Sequence, residues 1–162
     1  MQDYFWQELP FVYRTHESPD EDKIKKLVTF IHNFGHSMHI SNREVRPKEI
    51  QKLLAKVEGT AEDALISRLA LRSMKQAKYS TDCVGHFGLA AKYYTHFTSP
   101  IRRYPDMMVH RLLEKYLAGG ESARQEVYDK LCKHASEREI VAAEAERSSI
   151  KYKLVEFMQD KV

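Results

Sequence analysis

Apolar residues at three- and four-residue intervals, in blocks closed by glycine, constrain this chain more than any other feature. Ile24, Leu27, Val28, Ile31 and Phe34 share one face of a predicted helix that Gly35 ends. The stretch Ser18-Pro19-Asp20-Glu21 reads as its start, with Ser18 as the cap, Pro19 at the first helical position and Glu21 completing a capping box. Pro47 opens a second helix that carries Ile50, Leu53, Leu54 and Val57 on one face and stops at Gly59. Thr60 is expected to cap a third, running through Leu65, Leu69 and Met74 to about Lys78. Val109, Leu112, Leu113 and Tyr116 place another ahead of Gly119-Gly120. Two further stripes, Val127 with Leu131 and Ile150 with Leu154, Phe157 and Met158, read as two helices or one long, kinked one. Phe11 to His16 is expected to be a short extended piece, Ser37 to Val45 a loop or short hairpin, and Tyr79 to Ser99 has no clean period. The expected fold is mainly α, with five or six helices and little strand.

Composition narrows the classes without choosing a function. A chain of 162 residues with 43% hydrophobic and 30% charged residues suits one globular domain with a real core. No apolar run approaches the ~20 residues a membrane-spanning helix needs. The first ten residues carry Asp3 and Glu8 and no basic residue, unlike a secretory leader. Cys83 and Cys132 are too few for a disulfide framework and match no zinc spacing, so a reduced, cytoplasmic location is expected.

The net charge of +3 is too mild to argue for nucleic acid, but its distribution is uneven. Between Ala64 and Arg103 the bases are Arg68, Arg72, Lys75, Lys78, Lys92, Arg102 and Arg103 against the single acid Asp82, a local charge of +6. The same window holds His86, His96, Tyr79, Phe87, Tyr93, Tyr94 and Phe97. Cations interleaved with aromatics suit a phosphate backbone with stackable bases. The plain alternative is a solvated basic helix face with its aromatics in the core.

Within that window, Thr98-Ser99-Pro100-Ile101-Arg102-Arg103-Tyr104-Pro105-Asp106 sets an Arg-Arg pair between two prolines, just ahead of an amphipathic helix. Either Ser99 caps a turn with Pro100 at its first position, or Pro105 opens the main helix with Asp106 in its early turn. In both registers the arginines stand near a helix N-terminus, where an anion is favoured. A preordered guanidinium binds a phosphate at two points, and the Thr98 and Ser99 hydroxyls add donors. The alternative is a surface turn whose arginines face solvent or pair with Asp106.

Gly85-His86-Phe87-Gly88-Leu89-Ala90, then Tyr94-Thr95-His96-Phe97 running into that segment, and Val109-His110-Arg111 after it, resemble the signature late in the RNB catalytic domain. That is the domain of the ribonuclease II / ribonuclease R family, and the variant here is most similar to the bacterial ribonuclease R branch. Tyr13-Arg14-Thr15-His16-Glu17, Leu71-Arg72-Ser73-Met74, and Ala145-Glu146-Arg147 through Phe157-Met158 fall in family order, so the similarity runs along essentially the whole chain. The resemblance implies a processive, hydrolytic 3′-to-5′ exoribonuclease that releases nucleoside 5′-monophosphates from single-stranded RNA. It implies magnesium (Mg2+) held by an aspartate cluster near the start of that domain, and maps the phosphate-gripping arginine onto Arg102. Arg103 is implied in backbone binding only, with His86, His96, Thr98 and Ser99 lining the RNA path or buttressing Arg102.

The departures from that pattern carry their own expectations. The chain holds no aspartate cluster; Asp20, Glu21 and Asp22 read as helix first-turn residues that suit the dipole. Residues 1–162 are therefore expected to be the helical C-terminal part of an RNB catalytic domain. Its N-terminal part, the cold-shock-like modules and the S1 barrel would lie elsewhere in the same protein, as partners of this piece, with no membrane involved. The isolated chain would then be inactive and bind no metal through its own ligands. His32, His36 and His39, spaced by four and three, would face a metal only if Gly35 did not interrupt their helix. The competing reading is a stand-alone helical RNA-binding or adaptor module without catalysis, and a remoter one is a purely structural helical module.

Overall fold

The computed structural model of the protein describes residues 9–39, 45–159 and 161. Five α-helices and two three-residue strands are found there, the mainly α architecture that the periodicity implies. The chain forms two compact units and crosses between them four times, after Val12, Ala77, Thr81 and Thr95.

The unit made of Tyr13–Ala77 and Asp82–Thr95 begins with strand β1 (Tyr13–Thr15) and holds helices α1 (Glu21–His32), α2 (Pro47–Val57) and α3 (Asp63–Ser73). Their faces close one core: Ile24, Leu27 and Ile31 from α1, Ile50, Leu53 and Val57 from α2, Ile66 and Ala70 from α3, with Phe87 beside them. Apolar side chains removed from water at helical spacing are what hold three short helices together, since none is long enough to persist alone. Helix α1 is capped by Asp20, not Ser18: the Asp20 carboxylate accepts from the N–H groups of Asp22 and Lys23 at 3.0 and 3.4 Å. Pro19 accordingly lies outside the helix. Thr60 does not cap α3 either, because its hydroxyl donates backward to the Val57 carbonyl at 2.7 Å and completes the end of α2. Helix α3 starts later, ends at Ser73 rather than near Lys78, and buries Ile66 and Ala70 while Leu65 is exposed. Of the expected loop from Ser37 to Val45, residues 40–44 lie outside the described residues.

The segment after Asp82 is tied back to the start of this unit by backbone bonds. Arg14 N–H donates to Tyr94 at 3.0 Å, His16 N–H to Gly85 at 3.0 Å, and Phe87 N–H to His16 at 2.8 Å. A 3-10 turn at Phe87–Leu89 follows. Gly85 sits at φ +80, where a Cβ would also meet the Ala91 carbonyl oxygen at 3.1 Å, so this crossing requires glycine.

The other unit holds strand β2 (Lys78–Ser80) and helices α4 (Tyr104–Leu117) and α5 (Gln125–Gln159). Its core joins Val12, Tyr79, Met108, Val109, Leu112, Tyr116 and Cys132. The Tyr116 hydroxyl donates to the Pro10 carbonyl at 2.7 Å and accepts from Ala123 N–H at 3.4 Å, fastening two loops to one side chain. Strand β2 lies on α5: Tyr79 N–H donates to the Ser136 hydroxyl at 2.9 Å, and the Thr81 hydroxyl bonds the Asp129 carboxylate. The C-terminal stripes thus belong to one 35-residue helix. Only Cys132 is buried along it, and Ile150, Leu154, Phe157 and Met158 are exposed. Among the described residues no helix is long and apolar enough to cross a membrane.

Candidate nucleic-acid interface

Pro105 settles the register left open by the sequence: it stands in the first turn of α4, and the residues before it form a separate turn. Ser99 carbonyl accepts from the N–H groups of Arg102 and Arg103 at 3.3 and 3.0 Å, closing the turn on itself. The carboxylate of Asp106 is fully buried (0% exposed). Its Oδ2 accepts from Ser99 N–H at 2.8 Å and from Arg103 Nη2 at 2.9 Å.

The two adjacent arginines therefore differ. Arg103 turns inward onto Asp106 and keeps 22% of its side chain exposed. Arg102 is exposed and forms no ion pair with a described residue, and Ile101 beside it is wholly in solvent (100%). A positive charge held on a closed turn and left unneutralised is what an incoming phosphate requires. The N-terminus of α4 itself offers less than expected, because Pro105 has no N–H and Asp106 already supplies a negative charge in the first turn.

Around this turn the structure places most of the other expected residues. Thr98 is exposed next to Ser99. His96 Nδ1 is hydrogen-bonded to the Tyr79 hydroxyl at 2.9 Å, with the rings edge to face at 5.6 Å, so it is anchored to the core. His110, on α4, donates from Nε2 to the Phe97 carbonyl at 2.8 Å and stacks on the Phe97 ring at 4.1 Å and 12°. The alternative weighed from the sequence, pairing of the arginines with Asp106, holds for Arg103 alone, and Phe97 of the aromatic window is the ring on which His110 stacks.

His86 is built into the other unit. Its Nδ1 accepts from Leu89 N–H at 3.3 Å, and its ring meets His16 and Tyr94 edge to face at 5.0 and 5.1 Å. His16 in turn accepts from Gly88 N–H at 3.0 Å, and a Cβ on Gly88 would lie 3.0 Å from the same ring nitrogen. In that unit an open groove of about 350 Å³ runs between α1 and α3, with Leu27, Phe30 and Leu69 on its floor and Lys23, Lys26 and Arg72 at its edges. None of these three cations pairs with a described acid, whereas Lys25 pairs with Glu21 and Asp22, and Lys75 with Glu17. Partial burial raises the Cys83 thiol above its ordinary value, against weaker pulls from Gly85 N–H and Lys92, so it is no thiolate nucleophile at neutral pH.

A family model described as the RNB domain matches residues 3–119. The chain belongs to the RNB domain family. Ribonuclease R 1 of Lactococcus lactis subsp. lactis (strain IL1403) is 43% identical over 159 residues, which is 95% of this RNB chain and 20% of that protein. The structure of Mycoplasma genitalium RNase R in complex with ribose methylated single-stranded RNA matches with a TM-score of 0.85 at 25% identity, covering 95% of this chain and 25% of that one. The structure of yeast Ssd1, a pseudonuclease, matches with a TM-score of 0.69 at 26% identity, over 78% of this chain and 16% of that one. This RNB chain spans about a fifth of the length of the curated relatives it matches.

The family resemblance implies magnesium, and the described residues offer no set of ligands that fits it. Among the described residues no group of three or more His, Cys, Asp or Glu side chains is assembled for a metal ion. Asp20 spends its carboxylate on the cap of α1, and Asp106 spends its own on Ser99 and Arg103.

Proposed function

We propose that this chain is the helical C-terminal part of the catalytic domain of a processive, hydrolytic 3′-to-5′ exoribonuclease. The full protein would degrade single-stranded RNA to nucleoside 5′-monophosphates in the cytoplasm, with magnesium held by carboxylates outside this chain. Its N-terminal RNB part, cold-shock-like modules and S1 barrel would complete it. The observation that carries this reading is the exposed Arg102, without an ion-pair partner among the described residues, on a turn pinned at both ends.

In this reading Arg102 grips the non-bridging oxygens of the reacting phosphate. Charge grows on those oxygens as water attacks, and a cation already in place stabilises it without rearrangement. Arg103 serves backbone binding by holding the turn, with one nitrogen already on Asp106. Ser99 and Thr98 offer hydroxyls beside the phosphate, while His96 and His86 line or buttress the path. Lys23, Lys26 and Arg72 add positive potential for the strand elsewhere on the chain.

The test is Arg102→Ala in the full-length protein with magnesium and a labelled single-stranded RNA. Mononucleotide release should fall about 10²–10³-fold, the usual cost of removing one charge-stabilising donor, while RNA binding persists. Wild-type turnover in that variant would refute the assignment. The match to a pseudonuclease keeps the second reading, an RNA-binding module without catalysis, in view. Under it the full protein releases no mononucleotide at all, and Arg102→Ala weakens binding only.

A further inference from the structure

Asp106 has a use that helix chemistry alone does not explain. As a first-turn acid it would suit the dipole of α4, but such residues do so from the surface. Asp106 is instead wholly buried, and a single oxygen, Oδ2, takes both of its donors. Those donors are the backbone N–H of Ser99, which opens the turn, and the guanidinium of Arg103, which ends it. Ser99 then accepts from Arg102 and Arg103 N–H on its carbonyl side. The backbone of Arg102 is thus enclosed in a ring of hydrogen bonds whose one side-chain keystone is Asp106.

As a stabilising device the arrangement is poor. Asp106 Oδ1 and Arg103 Nε are both buried with no hydrogen-bond partner among the described residues. Buried ion pairs are often no better for stability than well-packed apolar residues, and in some proteins what they supply is a defined geometry. Here the geometry supplied is the position of the neighbouring residue, the one arginine of the pair that remains outward.

We propose that Asp106 is the positioning residue for Arg102: it fixes the turn so that the Arg102 guanidinium meets the phosphate in one orientation. This inference rests on the role of Arg102 proposed above. Misplacing a catalytic contact by about 1 Å can cost ~10²-fold, so loosening the turn should lower turnover while leaving RNA affinity nearly unchanged.

The experiment is a double-mutant cycle in the full-length protein, reading kcat and KM for mononucleotide release, with melting curves for each variant. Asp106→Asn keeps an oxygen for Ser99 N–H but removes the ion pair with Arg103. It should lower kcat about 10–100-fold with KM within ~2-fold. On an Arg102→Ala background the same substitution should change kcat by less than ~2-fold, because the residue it positions is gone. Equal losses on both backgrounds would show a general structural role and overturn the proposal, as would an Asp106→Asn enzyme with wild-type kcat. If Asp106→Asn fails to fold, Asp106→Glu keeps the charge and displaces the oxygens by one methylene, with the same pattern expected. Should Arg102→Ala itself keep full turnover, the reading of Arg102 falls and this one with it. If instead only the Asp106 variants are silent, this inference alone is lost.

Discussion

Replace each of the two neighbouring arginines by alanine in the 162-residue chain and follow thermal unfolding by circular dichroism. Arg102 is exposed and pairs with no described residue, so its loss should cost no more than about 0.5 kcal/mol. Arg103 is the only charged partner of the Asp106 carboxylate among the described residues, and Asp106 has no solvent contact. Removing it leaves a buried charge with one backbone donor and an unmet Oδ1. Breaking a buried pair costs roughly 3–5 kcal/mol. The lower end, about 3 kcal/mol, applies because the 22% of the Arg103 side chain open to solvent marks a route for water. At about 2–4 °C per kcal/mol for a chain of this size, Arg103→Ala should melt some 6–12 °C lower, and Arg102→Ala within about 2 °C of the parent. Equal shifts for both, or a larger one for Arg102, would refute the division of labour between the two side chains.

Other expectations follow from the same structure. Gly88→Ala would push a Cβ to 3.0 Å from His16 Nδ1, an atom already bonded to Gly88 N–H, and should lower the urea midpoint by an amount equivalent to about 1–3 kcal/mol; an unchanged midpoint would mean that the His16 ring gives way. Burial, helped by the Asp129 charge, pushes the Cys132 thiol up to about 12 from 9.0, so the folded state favours the neutral thiol. That contribution is complete below pH 9 and is lost as pH rises towards 12, and Cys132→Ala should therefore flatten the alkaline limb of a stability–pH curve while lowering stability at neutral pH. The Tyr116 phenol, also raised by burial, should leave part of that limb in place. RNA binding by the chain should be weak and fall with salt. Neutralising Lys23, Lys26 and Arg72 together should reduce the log–log salt slope by up to about 2, at ~0.7 per phosphate contact on a single strand.

Much of the fold was legible because its helices are amphipathic and punctuated: α2 begins at Pro47 and ends just before Gly59, where its pattern does. The errors share a cause, competition between neighbouring polar groups for one backbone end. Ser18 and Asp20 both suit the cap of α1, and only the backbone path selects Asp20. Thr60 suits a cap too, but its hydroxyl finds the Val57 carbonyl first, which delays α3 and rotates its buried face from Leu65 to Ile66. At the interface, adjacency hid the difference between Arg102 and Arg103, because a spacing of three to Asp106 against four carries little information without the turn that precedes it. The cluster of His16, His86 and Gly88 joins residues 72 apart, and no local pattern announces it.

The four crossings of the chain between its two units bear on how the protein can be cut and how it can fold. Neither unit is a continuous stretch, so no truncation from one end yields one of them intact. A deletion that removes Lys78–Thr81 takes Tyr79 out of one core although the segment lies between pieces of the other. Synthesis meets the same constraint: the core of Val12 and Tyr79 must wait for Cys132 before it can close. Contacts of such long sequence separation slow folding. The core of Ile31, Ile50 and Phe87 needs nothing beyond Thr95, so protease resistance is expected to arrive in two stages, with the unit that contains Cys132 last.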